Sequence, residues 1–143
     1  MTRYYCLSCG ENYPPVGLPH HCACGGVFSV ADLQYTPETY QSSSLPGMWR
    51  YKDAFGLDGD AEPFYLGEGA TALVADMENP QSVCFKCEHL NPSGSFKDRQ
   101  SAVLMSLLKA RGIHAILEDS SGNAGASVAQ YAAAAGVKSH IFI

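Results

Sequence analysis

His114-Ala-Ile-Leu-Glu-Asp-Ser-Ser-Gly-Asn-Ala-Gly-Ala-Ser-Val-Ala-Gln-Tyr-Ala-Ala-Ala-Ala-Gly-Val-Lys-Ser-His-Ile-Phe-Ile143 is the stretch whose reading decides the fold. Its periodicity predicts a strand over His114–Leu117, a polar turn, an alanine-rich helix over Asn123–Ala135 closed by Gly136, and a strand over His140–Ile143. Upstream, Phe96, Val103, Leu104, Leu107 and Leu108 recur on one face of a helix predicted over 96–111, stopped by Gly112. Before it, Thr71–Ala75 and Val83–Cys87 read as short strands. A βαβαβ series of this kind predicts an α/β fold with a parallel sheet covered by helices. The last run, Ser139–Ile143, reads as the start of a buried parallel strand with no following helix to cover it, so the chain is expected to be the front part of a longer protein.

The 143 residues hold 46% apolar and 16% charged side chains, a globular and not a disordered composition. A net charge of -5 offers no basic footprint for nucleic acid or an anionic membrane, which disfavours both as partners. No run is apolar and long enough to span a bilayer, and Met1 to Cys6 has no signal-peptide core, so a cytoplasmic protein is the default. In that compartment six cysteines are expected to be reduced, and closely spaced pairs read as metal ligands.

Two such pairs, Cys6-Leu-Ser-Cys9 and Cys22-Ala-Cys24, are separated by twelve residues. Tight turns at this spacing can gather four thiolates around one structural zinc, with His20 and His21 as substitutes because the second pair is one residue tighter than the usual knuckle. Residues 1–30 are therefore expected to form a small metal-stapled, zinc-ribbon-like module. From 31 to 68 a Pro-, Gly- and Ser-containing segment carries Tyr35, Tyr40, Trp49, Tyr51, Phe55, Phe64 and Tyr65, and reads as an irregular arm that packs its rings on something larger. Residues 69–143 hold the strand and helix series. A further pair, Cys84 and Cys87, lies in a predicted strand, where residues three apart face opposite ways, and is assigned to core packing.

The chemistry concentrates in Asn91-Pro-Ser-Gly-Ser-Phe-Lys-Asp-Arg99. Pro92 and Gly94 mark a turn, Ser95 and Asp98 fit a capping box, and Lys97 falls in the first helical turn. An ammonium there meets the positive end of the helix dipole, which favours a neutral amine able to attack carbonyls, as in Schiff-base chemistry with pyridoxal phosphate. From spacing alone, a solvated surface lysine beside Asp98 and Arg99 is the ordinary alternative. The second polar loop, Ser120-Ser-Gly-Asn-Ala-Gly125, opens a helix whose unpaired N–H groups suit a carboxylate or phosphate, though taken alone such a loop is often only a cap.

Together these segments resemble the fold-type II pyridoxal phosphate enzymes, and among them the threonine synthases. Asn91 to Arg99 is similar to the family's lysine segment, Ser120 to Asn123 to its Ser-Gly-Asn loop, and Leu66-Gly-Glu-Gly-Ala-Thr-Ala-Leu73 to its L-G-E-G-x-T-P-L run. Ala72 stands where the family has proline. Trp49-Arg-Tyr51 and Lys86 to Asn91 also resemble threonine synthase segments, and some members carry a similar cysteine ribbon. The resemblance implies that Lys97 carries pyridoxal 5'-phosphate and moves protons, that Asn123 bonds the ring oxygen, and that Ser120, Ser121 and Gly122 hold the substrate carboxylate. Cys6, Cys9, Cys22 and Cys24 remain the expected zinc ligands.

The implied reaction acts on a small-molecule amino-acid substrate, converting O-phosphohomoserine and water to threonine and phosphate. The oligomeric state stays open, a homodimer being one option for the full-length protein. The cofactor's phosphate loop and the group facing the pyridine nitrogen are expected beyond residue 143, so the isolated chain is expected to be inactive. The alternatives are another fold-type II lyase, such as a threonine dehydratase or cysteine synthase, and a non-catalytic zinc-ribbon interaction module.

Overall fold

The computed structural model describes residues 3–31, 43–57 and 61–143. The expectations for Tyr35 and Tyr40 lie outside the described residues. In chain order the strands and α-helices are β1 (Arg3–Cys6), β2 (Phe28–Ala31), β3 (Leu73–Ala75), β4 (Cys84–Lys86), α1 (Lys97–Ala110), β5 (Ala115–Asp119), α2 (Asn123–Ala135) and β6 (Lys138–Phe142). Short 3-10 turns run over Gly47–Ala54, kinked at Tyr51, and over Glu88–Leu90.

Both helices stop where their glycines allow it. Gly112 and Gly136 take left-handed φ of 63° and 71°. The next amide then reaches back across the turn, Ile113 N to Leu108 O and Val137 N to Ala132 O, each at 2.9 Å. This is the Schellman arrangement, which satisfies carbonyls the helix end would otherwise leave open.

Of the expected strand and helix series, one parallel unit forms: β5 and β6 pair in parallel register, Ala115 with Lys138 through Asp119 with Phe142, joined by α2. The pairing of β3 and β4 corrects the reading of a continuous parallel series, because these strands form their own antiparallel hairpin, Leu73 opposite Lys86. A strand followed by eight residues before its partner closes locally at lower entropic cost than one paired across a helix. The assignment of Cys84 and Cys87 to core packing is also corrected, since Cys84 is exposed and Cys87 half-buried on this hairpin. β6 alternates, with Ser139 and Ile141 half-buried and His140 and Phe142 exposed, so one of its faces is uncovered in this chain.

The core lies between α1 and α2 and under the 3-10 segment. Trp49, Met105, Tyr131 and Ala132 are fully buried, with Met48, Ala102, Leu108, Val128 and Val137 around them. The inward face of α1 is therefore Asp98, Ser101, Ala102, Met105 and Leu108, while Phe96 is exposed and Val103, Leu104 and Leu107 are half-buried. The expected leucine face is displaced because α2 turns Gly125, Ser127, Val128, Tyr131 and Ala132 inward, and Ser127 meets Ser101 in a hydrogen bond. Trp49 stacks edge-on with Phe55 at 5.7 Å, and Phe64 with Tyr131 at 6.3 Å, so rings from the arm complete this core. The Phe64 amide is tied to α1 through Ser106 Oγ at 2.8 Å.

β1 and β2 form a separate antiparallel pair, Cys6 opposite Phe28. Arg111, just after α1, clamps this module to the helix: its Nη1 donates to Gly17 O at 2.8 Å and its guanidinium lies 5.0 Å from the Tyr13 ring centre. Among the described residues no helix is long and apolar enough to cross a membrane.

Candidate active site

Lys97 is the first residue of α1 and Asn123 the first of α2. The two starts are held side by side by buried hydrogen bonds one residue and one turn away from them. The Ser127 hydroxyl donates to Asp98 Oδ1 at 2.6 Å and accepts from the Ser101 hydroxyl at 2.7 Å. The same Asp98, fully buried, accepts the Ser93 amide at 2.6 Å and the Ser93 hydroxyl. One carboxylate thus ties the polar turn before Lys97, the first turn of α1 and the second turn of α2 into one unit.

The expected Ser95–Asp98 capping box is corrected by this geometry. Ser95 Oγ accepts the Lys97 amide at 3.3 Å, but Asp98 turns back to Ser93 instead of Ser95. An acidic side chain in the first turn still meets the positive end of the helix dipole.

Lys97 is half-buried, its Nζ 4.9 Å from the Phe96 ring centre, and among the described residues it has no carboxylate partner. Ser121, Gly122 and Asn123 are exposed and Ser120 is half-buried. Gly122 precedes α2 without a side-chain cap, and among the described residues the first-turn amides of Asn123 and Ala124 have no hydrogen-bond acceptor. Gly125 is needed here: a Cβ on it would sit 2.6 Å from Ser120 O and 3.0 Å from an Ile141 methyl group. A free lysine amine, an unpartnered asparagine side chain and an open helix start are a donor set that fits an aldehyde cofactor and an amino acid carboxylate.

Two further carboxylates brace the site. Glu68, fully buried, accepts Trp49 Nε1 at 2.8 Å, the Leu66 amide at 3.0 Å and the Tyr131 hydroxyl at 2.8 Å. Burial, reinforced by Glu68, pushes the Tyr131 hydroxyl well above the usual tyrosine range. Glu88 is gripped by Arg99 through Nε at 2.8 Å and Nη2 at 2.7 Å, and by Thr71 Oγ1 at 2.8 Å. Hydrogen bonding from Arg99 holds the Glu88 carboxyl at about 2, below its ordinary 4.5. Asn91 joins them, donating to Glu88 and accepting the Gly69 amide at 2.9 Å.

None of these bracing roles was read from the sequence. The one available signal was on α1, where Asp98 and Ser101 share a face with Ala102 and Met105, a polar pair on an apolar stripe.

In the β1–β2 module, the sulfurs of Cys6, Cys9, Cys22 and Cys24 all lie within 4.8 Å of one another. The Cys6–Cys24 and Cys9–Cys22 separations are 3.6 and 3.7 Å. Tetrahedral zinc with bonds of about 2.3 Å requires sulfurs about 3.8 Å apart, so the cluster fits that ion. Burial pushes the Cys6 thiol up, but the Cys9 and Ser8 backbone amides and the facing thiols outweigh it and bring it to about 6. His20 and His21 pack on each other, ring centres 4.5 Å apart, and are outside the cluster.

Comparison with known proteins places these features in context. The family model described as pyridoxal-phosphate dependent enzyme matches residues 65–143. A threonine synthase of Methanocaldococcus jannaschii is 29% identical over 143 residues, covering 93% of this chain and 35% of that protein. One from Methanosarcina acetivorans is 29% identical over 96% of the chain and 36% of its own length. One from Mycobacterium leprae is 41% identical over 97 residues, 65% of the chain and 27% of the relative. The chain spans about a third of the length of these curated relatives.

Proposed function

Because the chain belongs to the family of pyridoxal-phosphate dependent enzymes, we propose that it is part of a fold-type II enzyme of the threonine synthase kind, which converts O-phosphohomoserine and water to threonine and phosphate. The observation that carries this reading is the Asp98–Ser127 bond, which sets Lys97 beside the open start of α2. Lys97 holds the cofactor through its amine and, once displaced by substrate, takes and returns protons at the substrate carbons. Asn123 donates to the cofactor's ring oxygen. The first-turn amides of α2, with Ser120, Ser121 and Gly122, hold the substrate carboxylate, where the helix dipole favours an anion. Pyridoxal phosphate, when bound, supplies a ring that accepts the electrons left by a departing proton.

Cys6, Cys9, Cys22 and Cys24 hold a structural zinc, which staples a module too small to build a core. The full-length protein is read as cytoplasmic. The discriminating experiment offers the full-length protein O-phosphohomoserine, threonine and O-acetylserine in parallel. Phosphate release from the first is expected to dominate, and faster turnover of either other substrate would move the protein to a dehydratase or cysteine synthase.

A further inference from the structure

A cavity of about 350 Å³ has no contribution from Lys97 to its lining. Arg50 and Tyr51 reach it from the 3-10 segment, Lys86 from β4, Arg99 from α1, and Ala70 from the turn before β3. Arg99 is two residues past Lys97, about 200° around the helix, so the cavity opens on a different face of α1. Its volume falls at the small end of ligand pockets, roughly 300 to 1,000 Å³.

The charges do not cancel. Arg99 is matched by Glu88, and Lys86 donates to the Thr71 main-chain oxygen, a neutral acceptor. Among the described residues Arg50 makes no hydrogen bond or ion pair. Glu68, whose charge also acts on Arg99, is saturated by its own three donors on the core side. Three cations therefore meet two carboxylates, both already committed, in a chain whose net charge is -5. A local excess of positive charge against an acidic background is what an anion site requires.

The wall is also fixed before any ligand arrives. Ala70 holds a left-handed φ of 50°, the one non-glycine residue to do so among those described, a conformation that costs about 1 kcal/mol or more. It is held there by Gly69, whose amide is bound by Asn91 and whose missing Cβ would sit 2.6 Å from the Met48 amide. The two backbones touch directly, so the cations stand on a rigid floor.

We propose that this cavity binds the phosphate group of a small molecule, at a site separate from the one built around Lys97. The open guanidinium fork of Arg50, backed by the Lys86 ammonium and by Arg99, which keeps Nη1 outside its grip on Glu88, suits a tetrahedral dianion better than a carboxylate. The test is calorimetric titration of inorganic phosphate into the full-length protein, its Lys97→Ala variant and its Arg50→Gln variant, with acetate as the second probe. Arg50 is exposed and unpaired, so its substitution leaves the fold intact. The expected result is saturable phosphate binding that persists in Lys97→Ala and weakens about tenfold or more in Arg50→Gln, with acetate bound more weakly than phosphate. Binding that survives Arg50→Gln unchanged, acetate binding as tightly, or no saturable binding in the parent protein would each overturn the proposal. Because Lys97→Ala removes the cofactor's anchor, the result stands apart from the fate of the threonine synthase reading.

Discussion

Replacing Asp98 by alanine tests whether one buried carboxylate holds the two helix starts together. It receives three donors: the Ser93 amide at 2.6 Å, the Ser93 hydroxyl, and the Ser127 hydroxyl at 2.6 Å. Hydrogen bonds to a charged group contribute roughly 1.5 to 3 kcal/mol each, which sets a ceiling near 9 kcal/mol. The loss is smaller, since Ser93 is half-buried and recovers water, and Ser127 keeps Ser101 at 2.7 Å. What remains is about one charged bond plus a small void, on the order of 2 to 4 kcal/mol. Against a typical domain stability of about 5 to 15 kcal/mol this is a large fraction. Asp98→Asn keeps the volume and one acceptor oxygen, and is expected to cost about half as much. Urea unfolding of the full-length protein, with an unchanged m-value, reads both numbers. A loss below about 0.5 kcal/mol in Asp98→Ala, or equal losses in the two variants, would refute the network as the link between α1 and α2.

Three further outcomes follow from other contacts. The Glu88 carboxyl is held at about 2, below its ordinary 4.5, so its stabilisation is fully present above about pH 5 and lost as pH falls toward 2. It amounts to about 1 kcal/mol after solvent screening, and Arg99→Gln should remove that part of the acid dependence; parallel acid profiles in the two proteins would count against it. Trp49→Ala empties the fully buried centre of the core and is expected to cost about 3 to 5 kcal/mol in the same unfolding assay, with a cost under 1 kcal/mol contradicting the packing. Gly26→Ala would place a Cβ 2.6 Å from Cys6 Sγ and Ser8 Oγ, so zinc measured by elemental analysis after a chelator challenge should fall well below one per chain; full retention would argue against the four-cysteine site.

How far the sequence carried the fold depends on how local each cause is. α1, β5, α2 and β6 were legible because Gly112 and Gly136 end each helix by a conformation written in one residue. The β3–β4 pairing was not, because Leu73–Ala75 and Cys84–Lys86 look the same whether they pair with each other or across a helix. The inward face of α1 is not the leucine face, because the buried α2 surface of Gly125, Ser127, Val128, Tyr131 and Ala132 selects Ser101, Ala102 and Met105 instead. In the site, Lys97 and Asn123 were visible as residues at helix starts. The carboxylates that place them were not: Glu68 lies between two glycines with no periodicity, and its three donors come from positions up to 63 residues away. Long-range hydrogen bonds leave no local pattern.

On the proposed function, Lys97 is the residue that carries pyridoxal phosphate. Borohydride reduction of the full-length protein loaded with the cofactor, followed by proteolysis and mass spectrometry, locates the attachment. The reduced pyridoxyl group is expected on the peptide containing Lys97, with none on that peptide in Lys97→Ala. A label on Lys86, Lys109 or any other lysine, or its retention in Lys97→Ala, would contradict it.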